Sequence, residues 1–140
     1  MKPETQLFFH VLGAIVLFGA TAAVATLALA GRGRDEPRPI ARATLAILLV
    51  LAVPAWIATL AFGIWTESAG DWPDGLTWVD FGFRVTDVGL LVVLVSAALA
   101  YRWIRRPTGR WAPSAIGFLN TLYLAALAVA WWVMTTKLPA

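Results

Sequence analysis

Residues 43–66 read ATLAILLVLAVPAWIATLAFGIWT, a run from Ala43 to Thr66 with no Asp, Glu, Lys or Arg. A helix needs about 20 mostly apolar residues to cross the hydrocarbon core of a bilayer, and this run is long enough. Outward from it lie three more uncharged stretches: Thr5 to Gly31, Val88 to Tyr101 and Trp111 to Thr136. Val88 to Tyr101 is short unless its helix runs back through Asp87 and Arg84 towards Gly82. The pattern predicts four helices, at about 7–30, 41–65, 82–103 and 113–136, in a single transmembrane domain over 1–140. Lipid cannot satisfy open backbone groups, so helices are the expected form. The strands of a membrane barrel would alternate polar and apolar residues, which these runs do not.

Composition agrees. The 140 residues are 60% hydrophobic and only 14% charged, against about 45–50% and about 25% in soluble domains. There is no Cys and one His, His10. Disulfides, iron–sulfur clusters and cysteine nucleophiles are excluded, and a zinc site, which takes three or four ligands, is not expected from one chain. No phosphate-binding glycine loop, HExxH or GxSxG pattern is present, so a non-catalytic role is expected. The first apolar run is too long for a cleaved signal core of about 7–15 residues and reads as a retained helix.

Orientation follows from the basic residues. Arg32, Arg34, Arg38 and Arg42 sit in or beside the first loop, and Arg102, Arg105, Arg106 and Arg110 around the third, against only Asp35 and Glu36. The other side carries Lys2, Arg84 and Lys137 against Glu4, Glu67, Asp71, Asp74, Asp80 and Asp87. The positive-inside rule puts both Arg-rich loops in the cytoplasm and both termini outside. This gives an all-α, integral membrane four-helix bundle of two out–in–out helical hairpins in a bacterial inner membrane. The net charge of +3 is explained by topology, so nucleic acid is not an expected partner. Trp65, Trp72, Trp78, Trp131 and Trp132 fall at the outer level and Trp103 and Trp111 at the inner one, as interfacial anchors would. Trp56 lies deeper. Leu29-Ala30-Gly31-Arg32 and Leu99-Ala100-Tyr101-Arg102 occupy equivalent places before the two Arg-rich turns, which suggests an internal repeat.

Four residues make the candidate polar site. Asp80, Arg84 and Asp87 are spaced by four and three, so on a helix they share one face and Arg84 can pair with both carboxylates. They are either an ion pair at the interface or the mouth of an ion path. His10 lies at a similar depth near the outer end of the first span, and Met134 near the outer end of the last. A His with a Met is a ligand pair that copper or haem uses, although no cofactor is the leading expectation. Pro54 interrupts the second span and predicts a kink. Gly19 and Ala23 form a small-xxx-small pair suited to close helix packing, and Asn120, Thr121 and Ser96 are suited to hydrogen bonds between helices. Trp72-Pro73-Asp74-Gly75 predicts a tight turn in the acidic loop.

The opening Phe9-His10-Val11-Leu12-Gly13-Ala14 resembles the first His-x-x-Gly helix of small bacterial membrane proteins related to the copper-resistance protein D family. The closing Trp132-Val133-Met134-Thr135-Thr136-Lys137-Leu138-Pro139 is similar to the aromatic-rich last helix of those proteins. The resemblance is confined to the first and last helices. It implies a four-helix inner-membrane protein and copper handling through His10.

From the residues themselves, three functions are expected in turn. The first is a non-catalytic subunit of a larger membrane complex, with the bilayer and other subunits or copies of itself as partners. The second is a small homo-oligomeric transporter or channel using Asp80, Arg84 and Asp87. The third is a copper- or haem-binding protein using His10, with Met134.

Overall fold

The computed structural model describes residues 1–70 and 75–136. Those residues form four helices and no strand. Helix α1 is Pro3–Gly31, α2 is Arg38–Ser68, α3 is Thr77–Arg105 and α4 is Trp111–Thr136. Each is long and apolar enough to cross a membrane, so the chain has the make-up of a multi-pass membrane protein. Three of the helices start earlier than the uncharged runs suggest, most clearly α3, which begins at Thr77 and takes in Asp80, Arg84 and Asp87. Hydropathy marks the part of a helix that suits lipid, whereas the backbone ladder continues for as long as nothing breaks it.

Helix α2 is not uniform. Arg38–Ile47 and Val53–Ser68 are α-helical, and Leu48–Ala52 between them forms a π-helical turn. Val53 N–H donates to the Leu48 carbonyl, five residues back. Pro54 has no N–H to give its own preceding turn. The wider turn sits just upstream of it, where the predicted kink was expected. Insertions of this kind are local and frequently mark functional sites.

Each helix packs on its neighbours in the chain, and α4 closes the ring onto α1. Side-chain contacts fix the ends. At one end, a side chain on Gly31 would meet Trp103 and Ile40, and Gly33 lies under the Arg110 guanidinium. Arg38 Nε donates to the Ile104 carbonyl at 3.4 Å. We call this the arginine end. At the opposite, terminal end, Gly63 backs onto the His10 ring and Gly82 onto Met134.

The core runs between them. Leu17, Val24, Ala28, Leu48, Val93, Ile116 and Tyr123 are buried, with small alanines between the helices. Asn120 Nδ2 donates across the interface to Ser96 Oγ at 2.8 Å, both residues buried. Thr121, by contrast, donates to the Gly117 carbonyl of its own helix at 2.7 Å. Trp56 joins α2 to α3, with Nε1–H donating to the Thr86 carbonyl at 2.6 Å.

The tryptophans divide differently from the simple belt expected. Trp111 is exposed at the arginine end, with the Arg102 guanidinium 5.6 Å from its ring, as an anchor would be. Trp103 is instead part of the core, 1% exposed, wedged against Gly31. Trp65, Trp131 and Trp132 are exposed at the terminal end. Trp72 lies outside the described residues, as does most of the expected turn. Its last residue, Gly75, has the positive φ of 80° that such a turn requires of glycine.

Candidate functional site

The four predicted site residues do not come together. Asp80, Arg84 and Asp87 share a face of α3, as their spacing requires, but all three are exposed. The buried face of that helix end is Gly82, Val85 and Gly89, so the charged face points away from the bundle. Among the described residues Arg84 has no ion pair with either carboxylate. Spacing fixes which residues share a face; only the position of the neighbouring helices decides where that face looks.

His10 is placed otherwise. It lines a cavity of about 590 Å³ at the terminal end, to which all four helices contribute. Helix α1 supplies Leu7, His10, Val11 and Phe18; α2 supplies Thr59 and Gly63; α3 supplies Gly82 and Phe83; α4 supplies Ala130, Trp131 and Met134. Residues of α1 and α4 face each other across it, Leu7, Val11 and Ile15 on one side and Ala130, Trp131 and Met134 on the other. At the arginine end the same two helices are close, with Leu29 seated over Gly117. Val11 lies about five helical turns from Leu29 on the same stripe, and Thr135 about five turns from Gly117. Both line the cavity. Leu7, Val11 and Ile15 on α1, and Trp131 and Thr135 on α4, are also exposed. The cavity is therefore partly open to the surroundings, with much of its exposed lining on α1 and α4.

His10 is held firmly on the α2 wall. Its Nδ1 lies 2.8 Å from the Thr59 carbonyl. A carbonyl only accepts, so Nδ1 carries the proton that is shared. Gly63 makes room for the ring, since a Cβ there would stand 3.1 Å from Cε1 and Nδ1. On the other side of the same cavity, the Met134 methyl fills the notch at Gly82. The glycines at 63 and 82 were not singled out by sequence. A lone Gly on an apolar helix carries no signal until the partner side chain is known.

The hydroxyls around the cavity are occupied. Those of Thr59, Thr66, Thr86 and Thr135 donate to carbonyls of their own helices, Ala55 at 2.7 Å, Phe62 at 2.7 Å, Gly82 at 2.9 Å and Trp131 at 3.0 Å. Glu67 also lines the cavity and is exposed. No group of three or more His, Cys, Asp or Glu side chains suited to a metal occurs among the described residues. The donors that a soft metal would find in the cavity are His10 and Met134, which suffices for two-coordination and no more.

A second, polar hollow of about 440 Å³ lies at the arginine end between the two short loops. Arg34, Arg38 and Arg110 line it together with Asp35 and Glu36.

No protein-family model, no curated protein and no solved structure matches this chain.

Proposed function

We propose that this protein is a non-catalytic subunit of a larger assembly in a bacterial inner membrane, where it holds a membrane-dissolved molecule in the cavity at its terminal end. The observation that carries the reading is the apolar lining of the cavity, in which Leu7, Val11 and Ile15 on α1 and Trp131 on α4 are exposed, and from which we infer a side opening between these helices. A ligand enters such a site from lipid. The cavity volume falls within the range of about 300–1,000 Å³ typical of small-molecule sites. In this reading the Arg-rich loops are cytoplasmic, both termini are outside, and the cavity belongs to the outer leaflet. The positive-inside rule supports that orientation.

Association with other chains is supported by Gly19. It faces out of the bundle, where a Cβ would meet nothing within 4 Å. Its small-xxx-small stripe with Ala23 is therefore spare for a second helix. A channel gains less support. The middle of the bundle is filled by Leu17, Leu48, Ile116 and Tyr123, and Asp80, Arg84 and Asp87 face away from the cavity.

Native mass spectrometry of the protein released from its own membranes in mild detergent tests the proposal. The expected mass is this chain together with other chains and an additional small-molecule mass. Identical copies alone, without added mass, would contradict it. A second reading, a copper ion between His10 and Met134, is favoured by their sharing one cavity. Elemental analysis of the same sample checks it: less than one copper per chain after purification in copper-containing buffer would end it.

A further inference from the structure

We propose that the cavity selects a hydroxyl-bearing aromatic ring, a molecule of hydroquinone type, through a hydrogen bond to His10 Nε2. This rests on the reading above that the cavity takes a membrane-dissolved molecule, and adds its polarity.

The polarity follows from His10. Because the Thr59 carbonyl takes the Nδ1–H, the neutral ring presents Nε2 as a bare acceptor. Thr59 is itself held by its hydroxyl bond to Ala55, and Gly63 leaves the ring the room it needs. No described residue donates a hydrogen bond to Nε2. The threonine hydroxyls around the cavity spend their protons on helix carbonyls one turn back. The wall therefore offers a fixed acceptor and no free hydroxyl donor. A ligand that donates is matched at Nε2, whereas a ligand with only carbonyl oxygens leaves Nε2 without a partner. An acceptor that gains a partner on binding discriminates between such ligands.

The ring follows from the other walls. Phe18 on α1, Phe83 on α3 and Trp131 on α4 line the same space. Aromatic rings favour aromatic ligands through offset and edge-on contacts. The side opening leaves an attached alkyl chain in lipid while the head sits against His10. A phosphate headgroup suits this site poorly, since no described Lys or Arg lines the cavity.

The test uses the full-length protein in nanodiscs with a tritiated decyl-substituted benzohydroquinone, kept reduced under argon, and the corresponding quinone. Uptake by empty nanodiscs is subtracted. The reduced form should bind saturably and about tenfold tighter than the oxidised form, the order of one well-made hydrogen bond. His10→Leu should remove that preference, so that the two forms bind with similar affinity. Decan-1-ol, a hydroxyl donor without a ring, should fail to displace the hydroquinone. Equal, saturable binding of both forms by the unmodified protein would overturn the hydrogen-bond inference while leaving the cavity reading in place. Saturable binding of neither form would overturn both. Displacement by decan-1-ol as effective as by unlabelled hydroquinone would overturn the aromatic part.

Discussion

The two ends of this bundle are built from the same helices and behave as opposites. At the arginine end, Gly31 lies against Trp103 and Ile40, and Gly117 against Leu29. Glycine there lets large side chains fill the space between helices. At the terminal end, Gly63 and Gly82 face His10 and Met134, yet an open volume remains among α1, α3 and α4. The difference lies in what sits opposite the glycine. A rigid indole or a branched Leu on a nearby helix closes the gap, whereas a histidine tied back to α2 and a flexible methionine leave it partly empty. Close packing is needed where helix association in lipid rests on van der Waals contact. Helices that pack closely at one end, with only a polar hollow between the loops, can leave an apolar cavity between them at the other.

Substitutions can break this contrast. The largest effect is expected for Trp103→Ala. It removes the biggest buried side chain of the closed end and should cost about 3–5 kcal/mol, read as a fall in thermal midpoint in detergent. Trp131→Ala, at an exposed position on the open end, should cost below about 0.5 kcal/mol. Similar losses at the two positions would show that the ends are packed alike.

The glycines give a finer comparison. A Cβ at Gly31 would lie 2.6 Å from the Trp103 ring and 2.9 Å from Ile40. Gly31→Ala should therefore destabilise by about 1–3 kcal/mol through overpacking. Gly82→Ala meets only the end of Met134, which has the cavity to turn into, and should shift the midpoint by less than about 0.5 kcal/mol. If Gly82→Ala proved the more damaging, the space beside Met134 would not be free. Within the core, Asn120→Leu should cost about 0.6 kcal/mol, the usual value of one interhelical hydrogen bond. The smallest effect is expected at the exposed carboxylate: Asp87→Asn should change neither stability beyond about 0.5 kcal/mol nor hydroquinone binding. A clear loss of binding in that variant would place the ligand on α3's outer face instead.

The contrast also shows what a sequence can reveal. The four spans were legible because a bilayer demands long uncharged runs, and Ala43–Thr66 states that demand openly. Helix ends were less so, since α3, expected from about Gly82, starts at Thr77, within the stretch read as the acidic loop. Pro54 signalled a disturbance in α2, and the π turn upstream of it is how the backbone takes it up. His10 stood out as the sole histidine, but its partner is a main-chain carbonyl, Thr59, which has no signature in side-chain pattern. The Asp80–Arg84–Asp87 face was visible from spacing; its outward direction was not, because direction depends on where α2 and α4 sit. Trp103 was read as an interfacial anchor for the same reason. It lies at the right height, and only the notch at Gly31 turns it inward.

The side opening between α1 and α4 is tested most directly by paired cysteines, which the cysteine-free chain makes simple to place. One double variant carries Leu29→Cys with Gly117→Cys, the other Val11→Cys with Trp131→Cys. Under mild oxidation in native membranes the first pair should form an intramolecular disulfide in most molecules. The second should form little, and should instead be bridged by a longer bifunctional maleimide. Equally complete disulfide formation at both pairs would mean that α1 and α4 are closed along their whole length, which would contradict the cavity and the binding built on it.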